Sequence, residues 1–330
     1  MQKEIELWQF IAERLGKEQN VMLLVVAESS GSSPGRPTYK MAVGEDGELI
    51  GSIGGGVMEV NLVEQSREIL RKSSNVCKDE SFSAGLKLQV HKKNVPDSSG
   101  MICSGKQTVI FKVLTSHDLD SVKLAVDSLT TLRRDTITIT PETFGISPSG
   151  SETTGEDLTF GTISDIDFIY REKLGPKNDL FIIGGGHCAL SLSELMSKMD
   201  FHISLFDDRP ELNTIEKNRF ADTIRIVDSY DSIDSFIPSA TNAYVVVMTL
   251  GYKSDETVIR KLLGKEFKYF GVLGSKAKMA TLMKALKDEG FPAESLAHIH
   301  TPIGLSINSR TPEEIAVSIA AEIITVKNSD

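Results

Sequence analysis

One stretch constrains this chain more than any other: Asp179-Leu180-Phe181-Ile182-Ile183-Gly184-Gly185-Gly186-His187-Cys188-Ala189. A short apolar run ends in three glycines and passes straight into helical spacing. A second apolar run, Phe201–Phe206, follows and is closed by Asp207 and Asp208. Strand, glycine turn, helix, strand and acid, in that order, build a dinucleotide-binding βαβ unit. Gly184, Gly186 and Ala189 fill the Gly-x-Gly-x-x-Gly/Ala fingerprint. Asp207 stands about twenty residues further on, where such an acid meets a ribose hydroxyl. His187 is unexpected, because it puts a bulky side chain where a pyrophosphate would approach.

Beyond this unit the alternation continues. Thr223–Val227, Ala243–Met248 and Tyr269–Leu273 read as strands, and Ser254–Leu263 and the stretch from Ala277 to Lys287 read as helices. Continuous apolar strands between helices predict a parallel sheet covered on both faces. Thr249–Tyr252 and Gly274-Ser275-Lys276 would then share the carboxyl edge with Gly184–His187, where open α/β sheets bind ligands. Thr311, Pro312 and Glu314 sign the start of a last helix with a capping box. His298 and His300 share one side of an extended segment. With no acid or cysteine cluster beside them, they read as structural or surface histidines rather than metal ligands.

The amino-terminal half is more mixed. Helical spacing covers Glu4–Leu15, and Val21–Ala27 is a buried strand. A polar loop is expected over 28–37, then strands at Tyr39–Val43 and Glu48–Ile50. The second glycine cluster, Gly54-Gly55-Gly56, opens a helix that contains Glu59. Such a start is either an anion site, through free N–H groups and the helix dipole, or a tight turn. Glu59 in the first turn can equally be dipole compensation. Leu86–Val90, Thr108–Leu114 and Thr136–Thr140 read as strands, and Leu119–Leu132 as a helix. Cys103, in a small-residue loop, is either a reactive thiol or a small buried hydrophobe. A loop is expected over 143–157 and one strand over Leu158–Ile169.

The expected class is therefore α/β in two domains. A mixed α/β amino-terminal domain spans 1–172, and a Rossmann-like doubly wound parallel sheet spans 173–330. The boundary is expected in the polar Arg171–Asn178, broken by Gly175-Pro176. A net charge of −10 argues against a general nucleic-acid or membrane-surface binder. No apolar run reaches the 18 or so residues of a membrane span. The start, Met1–Glu6, carries no apolar signal region, and three unevenly spaced cysteines suggest no disulfide framework. These features point to the cytoplasm.

Several of these motifs together carry a resemblance. Gly31-Ser32-Ser33-Pro34, Gly51–Glu59 and Gly100–Gly105 are followed in order by Gly184–His187 and Asp207–Glu211. Gly271–Lys276 and Pro302–Leu305 through Thr311–Ala316 complete the series. The chain thereby resembles the XdhC/CoxI accessory proteins of molybdenum hydroxylases such as xanthine dehydrogenase. The resemblance implies a maturation factor rather than an enzyme. Such a protein binds the molybdenum (molybdopterin) cofactor, supports its sulfuration by a cysteine desulfurase and delivers it to the hydroxylase. Two departures stand out: Cys103-Ser104-Gly105 replaces the family's usual Cys-Gly-Gly, and Gly56 stands where a Gly-Gly-Cys often ends. Cys103 is then the main candidate sulfur ligand. The expected cofactor contacts are Gly54, Gly55, Gly56, Glu59, Cys103, Gly184, Gly186, His187, Asp207 and Ser275. A homodimer is expected on base rates. The competing expectation is an NAD(P)-dependent oxidoreductase using the carboxy-terminal fingerprint, and a third is a scaffold with no cofactor.

Overall fold

The computed structural model describes residues 2–73, 82–91, 105–149, 156–164, 167–199 and 201–329. The chain forms two compact units that part between Gly175 and Pro176.

The amino-terminal unit opens with α1 (Gln2–Leu15), whose Ile5, Trp8, Ile11 and Leu15 lie on one buried face. Five strands form an antiparallel sheet in the order β3-β2-β1-β5-β4. They are β1 (Val21–Gly31), β2 (Lys40–Gly44), β3 (Leu49–Gly51), β4 (Ala84–His91) and β5 (Gly105–Leu114). From Val21 to Ala27 β1 is buried on both faces, as its unbroken aliphatic run requires. α2 (Gly56–Ser73) covers one face through Met58, Leu62 and Leu70, packed on Met22, Leu24, Val26 and Phe111. α3 (Leu119–Thr131) packs against α1. A second sheet, in the order β7-β6-β9-β8, uses β6 (Thr136–Ile139), β7 (Phe144–Ser147), β8 (Leu158–Ser164) and β9 (Asp167–Lys173).

Three expectations are corrected here. The polar residues Glu28–Gly31 belong to β1, because β5 pairs with them as far as Gly31 opposite Gly105, past a bulge between Val26 and Glu28. Phe144–Ser147, expected in a loop, is a strand whose Phe144 is buried and lies 5.8 Å from the Trp8 ring. The single strand expected over Leu158–Ile169 is two, paired antiparallel up to Ser164 opposite Asp167. Its second strand carries on through Arg171-Glu172-Lys173, residues whose charge resembles a linker.

Glu172 is tolerated inside because Lys40 meets it. Lys40 Nζ lies 2.8 Å from Glu172 Oε2 and 3.0 Å from Glu4 Oε1, and the Tyr170 hydroxyl donates to Glu172 at 2.6 Å. The pair ties β2 of one sheet to β9 of the other. Burial acts to lower the Lys40 pKa, but the two carboxylates outweigh it and hold the ammonium above its ordinary value. Burial is also the largest influence on Glu172 and pushes its carboxyl up, with Lys40 opposing.

The carboxy-terminal unit is a six-stranded sheet in the order β12-β11-β10-β13-β14-β15, with every pair parallel. Its strands are β10 (Asn178–Ile183), β11 (Phe201–Asp207), β12 (Thr223–Ile226), β13 (Ala240–Val247), β14 (Phe267–Val272) and β15 (Ile299–His300). α4 (His187–Met196) and α9 (Pro312–Lys327) cover one face, through Ala189, Leu192, Met196, Ile319 and Ile323. α6 (Tyr252–Leu262) and α7 (Lys276–Asp288) cover the other, through Val258, Ile259, Leu282 and Leu286. The short α5 (Asn213–Glu216) and α8 (Ala293–Ala297) lie in connections. Strand order reverses between β10 and β13, so the ligand-binding crevice of such a sheet opens at their carboxyl ends. Among the described residues no helix is long and apolar enough to cross a membrane.

Candidate functional site

The first candidate region lies in the amino-terminal unit, where three loops meet. Gly54 has a φ of 126°, and a Cβ there would stand 2.6 Å from Gly35 N. A Cβ on Gly105 would stand 2.4 Å from Ser33 N. Backbone thus packs on backbone, and only glycine fits. Gln107, which the sequence did not single out, pins the arrangement. Its buried amide accepts from Ser33 Oγ at 2.7 Å and Gly35 N at 3.1 Å, and donates to Ile53 O at 3.1 Å. The available signal was one amide side chain just before the aliphatic run of β5.

Glu59 answers the question left open for the glycine cluster. Its Oε2 accepts from Ser52 Oγ at 2.7 Å, Ile53 N at 2.9 Å and Gly55 N at 3.0 Å. The chain's own carboxylate therefore occupies amides that an anion would use, and Gly54 N donates to Ser52 Oγ at 3.2 Å. Gly54 and Gly55 serve the turn in this arrangement, and Gly56 begins α2 with a φ of 73°. Cys103, with its loop, lies outside the described residues.

The second region is the carboxyl edge of the parallel sheet. Gly184 has a φ of 107°, and a Cβ there would stand 2.3 Å from Met248 O. The turns after β10 and β13 thus touch backbone to backbone. Gly186 caps α4 with no side-chain bond, and a Cβ there would meet nothing within 4 Å. Gly251 starts α6 in the same way, uncapped and open. His187 is exposed at the start of α4. Ser275 caps α7, accepting from Lys278 N at 3.4 Å. Asp255, a residue the sequence did not flag, is buried beneath Thr249 and accepts from its hydroxyl at 2.6 Å. Burial raises the Asp255 carboxyl above its ordinary value, with the Thr249 bonds opposing.

Asp207 ends β11 as expected, but it is fully buried. Its carboxylate accepts from Gly185 N at 2.6 Å and from Arg209 Nε and Nη2 at 2.8 and 2.7 Å. Burial acts to raise its pKa, but the Arg209 guanidinium and the two backbone N–H groups hold it below the ordinary value. A depressed pKa stabilises the fold above the unfolded value of about 3.9, and the gain is lost as pH falls through the folded value. The stability advantage of the native chain over Asp207→Asn is expected to be constant near neutrality and to shrink below about pH 4. Thermal unfolding followed against pH checks this, and a gap that stays constant down to about pH 2 would refute it.

The expected site residues therefore fall into two groups. Gly184, Gly186, His187, Asp207 and Ser275 share the carboxyl edge of one sheet, while Gly54, Gly55, Gly56 and Glu59 lie in the other unit. His298 lies just before β15, and His300 ends it. The His300 ring lies 4.6 Å from that of Tyr269, tilted by 34°, and among the described residues there is no group of three or more His, Cys, Asp or Glu placed to hold a metal.

A parallel sheet in this order, with a glycine turn on its first strand and an acid ending its second, defines a Rossmann domain. Residues 180–323 match the XdhC Rossmann domain, and residues 15–78 match the XdhC and CoxI family. The chain belongs to the XdhC and CoxI family. Among curated proteins it is 23% identical over 315 residues to the "Uncharacterized protein YqeB" of Escherichia coli (strain K12), covering 95% of this chain and 45% of that one. It is 31% identical over 159 residues to a probable xanthine dehydrogenase subunit of Bacillus subtilis (strain 168), covering 48% and 46%. The chain thus spans under half the length of both relatives. A crystal structure of a xanthine dehydrogenase from Bacillus halodurans shares the fold, with a TM-score of 0.69, 24% identity and coverage of 98% of this chain and 95% of that one.

Proposed function

We propose that this chain is an accessory protein of a xanthine dehydrogenase-type molybdenum hydroxylase. It binds the molybdenum cofactor as cargo, supports its sulfuration and delivers it in the cytoplasm to the apo-hydroxylase. A cysteine desulfurase is the sulfur source, and a second copy of the chain is the expected partner in a homodimer. The observation that carries this reading is the pair of uncapped, open helix starts at Gly186 and Gly251, beside the β10–β13 switch point. Free N–H groups and the helix dipole at such starts favour an anion, which suits the phosphate of a molybdopterin. His187 and Ser275 stand on the same edge and would contact the same ligand. In the amino-terminal unit an anion would have to displace Glu59 from the Ile53 and Gly55 amides. Cys103 is the proposed sulfur-handling group, since a soft thiolate suits molybdenum and sulfane chemistry.

Purification from hosts with and without molybdenum-cofactor synthesis tests the proposal. Pterin and molybdenum are expected to co-purify at near one equivalent only from the competent host. Absence of both, with the hydroxylase maturing normally when this chain is deleted, would overturn it. A Cys103→Ser variant is expected to retain the pterin but to yield hydroxylase with at least tenfold lower activity. Full activity would dismiss the thiol.

A further inference from the structure

In a Rossmann domain the nucleoside half of a dinucleotide lies over the turn after the first strand, its ribose on the acid that ends the second. NAD would therefore need an accessible Asp207 carboxylate and open space above Gly185. Neither is present. Asp207 is 0% exposed. Its Oδ2 accepts from Gly185 N at 2.6 Å and Arg209 Nη2 at 2.7 Å, and its Oδ1 from Arg209 Nε at 2.8 Å and Arg209 N at 2.9 Å. A carboxylate offers about four lone-pair sites, and these donors fill them. A ribose diol would have to replace a bidentate guanidinium with neutral hydroxyls, which make the weaker bonds.

The space above the turn is closed as well. A Cβ on Gly185 would meet Ile215 Cγ1 and Cδ1 at 2.6 and 2.7 Å. The Thr214 hydroxyl donates to the Gly185 carbonyl, so the start of α5 is fastened down over the glycines. Gly186 and Gly251, by contrast, have nothing within 4 Å of an added Cβ.

We infer that the carboxy-terminal unit does not hold a nucleotide ribose on Asp207: Arg209 fills that acid, and α5 covers the turn beside it. Open space remains at Gly186, before α4, and at Gly251, after β13. The fingerprint takes anions that carry no nucleoside seated over β11. Which ligand half the turn rejects is independent of the proposed accessory role.

Calorimetric titration of the intact chain with NAD⁺, NADP⁺ and AMP, in the native protein and in Asp207→Asn, tests it. The expected result is no saturable heat up to millimolar nucleotide, or binding that Asp207→Asn changes by less than threefold. The same variant is expected to unfold at a lower temperature at pH 7, because a strut has been removed. Saturable binding weakened threefold or more by Asp207→Asn would overturn the inference, as would an unchanged unfolding temperature. Should that variant fail to fold, Arg209→Gln keeps the acid and loosens its cover. Nucleotide affinity that falls threefold or more in Arg209→Gln would make Arg209 a ligand contact and overturn the inference. Affinity that is absent, unchanged or increased supports it.

Discussion

Replacing Lys40 with methionine is expected to destabilise the amino-terminal unit by about 3–5 kcal/mol, the cost of leaving one charge of a buried pair uncompensated. Lys40 and Glu172 side chains are 5% and 4% exposed. Without the ammonium, the Glu172 carboxylate retains, among the described residues, the Tyr170 hydroxyl at 2.6 Å. The double variant Lys40→Met with Glu172→Leu is expected to recover most of the loss, since an apolar pair of similar volume needs no desolvated charge. Trp8 is the only tryptophan of the chain and is fully buried in this unit, so its fluorescence in a urea titration reports the right transition. A single-variant loss below about 1 kcal/mol would show that the pair is not the tie between the sheets. Because the folded Lys40 pKa is raised, its contribution is fully present below the unfolded value of about 10.4 and fades only as pH rises through the higher folded value.

Gly184→Ala is expected to cost the carboxy-terminal unit about 2–4 kcal/mol, combining left-handed strain with overpacking. The backbone φ is 107°, and the new Cβ would press within 2.3 Å of Met248 O, an atom fixed in the neighbouring turn. Gly186→Ala is the matched control from the same fingerprint. A Cβ there would meet nothing within 4 Å and the φ is −71°, so its stability cost is expected to be about 1 kcal/mol or less, the loss of a glycine N-cap. Calorimetric unfolding of the two variants checks the contrast. Equal losses would mean that the turns of β10 and β13 do not interlock.

Much of the carboxy-terminal unit was legible in the sequence, because its geometry leaves few residue choices. Only glycine suits the turn after β10, continuous aliphatic runs mark buried parallel strands, and Thr311 with Glu314 announces α9. The state of Asp207 was not legible. Whether an acid faces a ligand or an arginine two residues on depends on how the backbone turns between them, and the pattern Asp-Asp-Arg-Pro permits both. Glu59 presented the same ambiguity, resolved only by the curl of the Ser52–Gly55 loop around its carboxylate. Arg171-Glu172-Lys173 was misleading for a different reason. A charged triplet reads as solvated linker unless a counter-charge waits elsewhere, and here it waits at Lys40, far away in the chain. Ser164-Asp165-Ile166-Asp167 hid a change of strand because it carries neither glycine nor proline.

The contact between Gly184 and Met248 also has a kinetic meaning. The turn after β10 is formed by neighbouring residues, yet the wall it rests on is made by a strand that follows β11, α5 and β12 in the chain. Ile183 O receives Met248 N at 2.8 Å, so the glycine turn is completed only when β13 has threaded in beside β10. Such a non-local closure is expected to be slow to form. A nascent chain that ends before β13 has the whole fingerprint in its sequence and no completed turn in its structure. The carboxyl edge of this unit is therefore expected to come into being late, with the docking of the fourth strand.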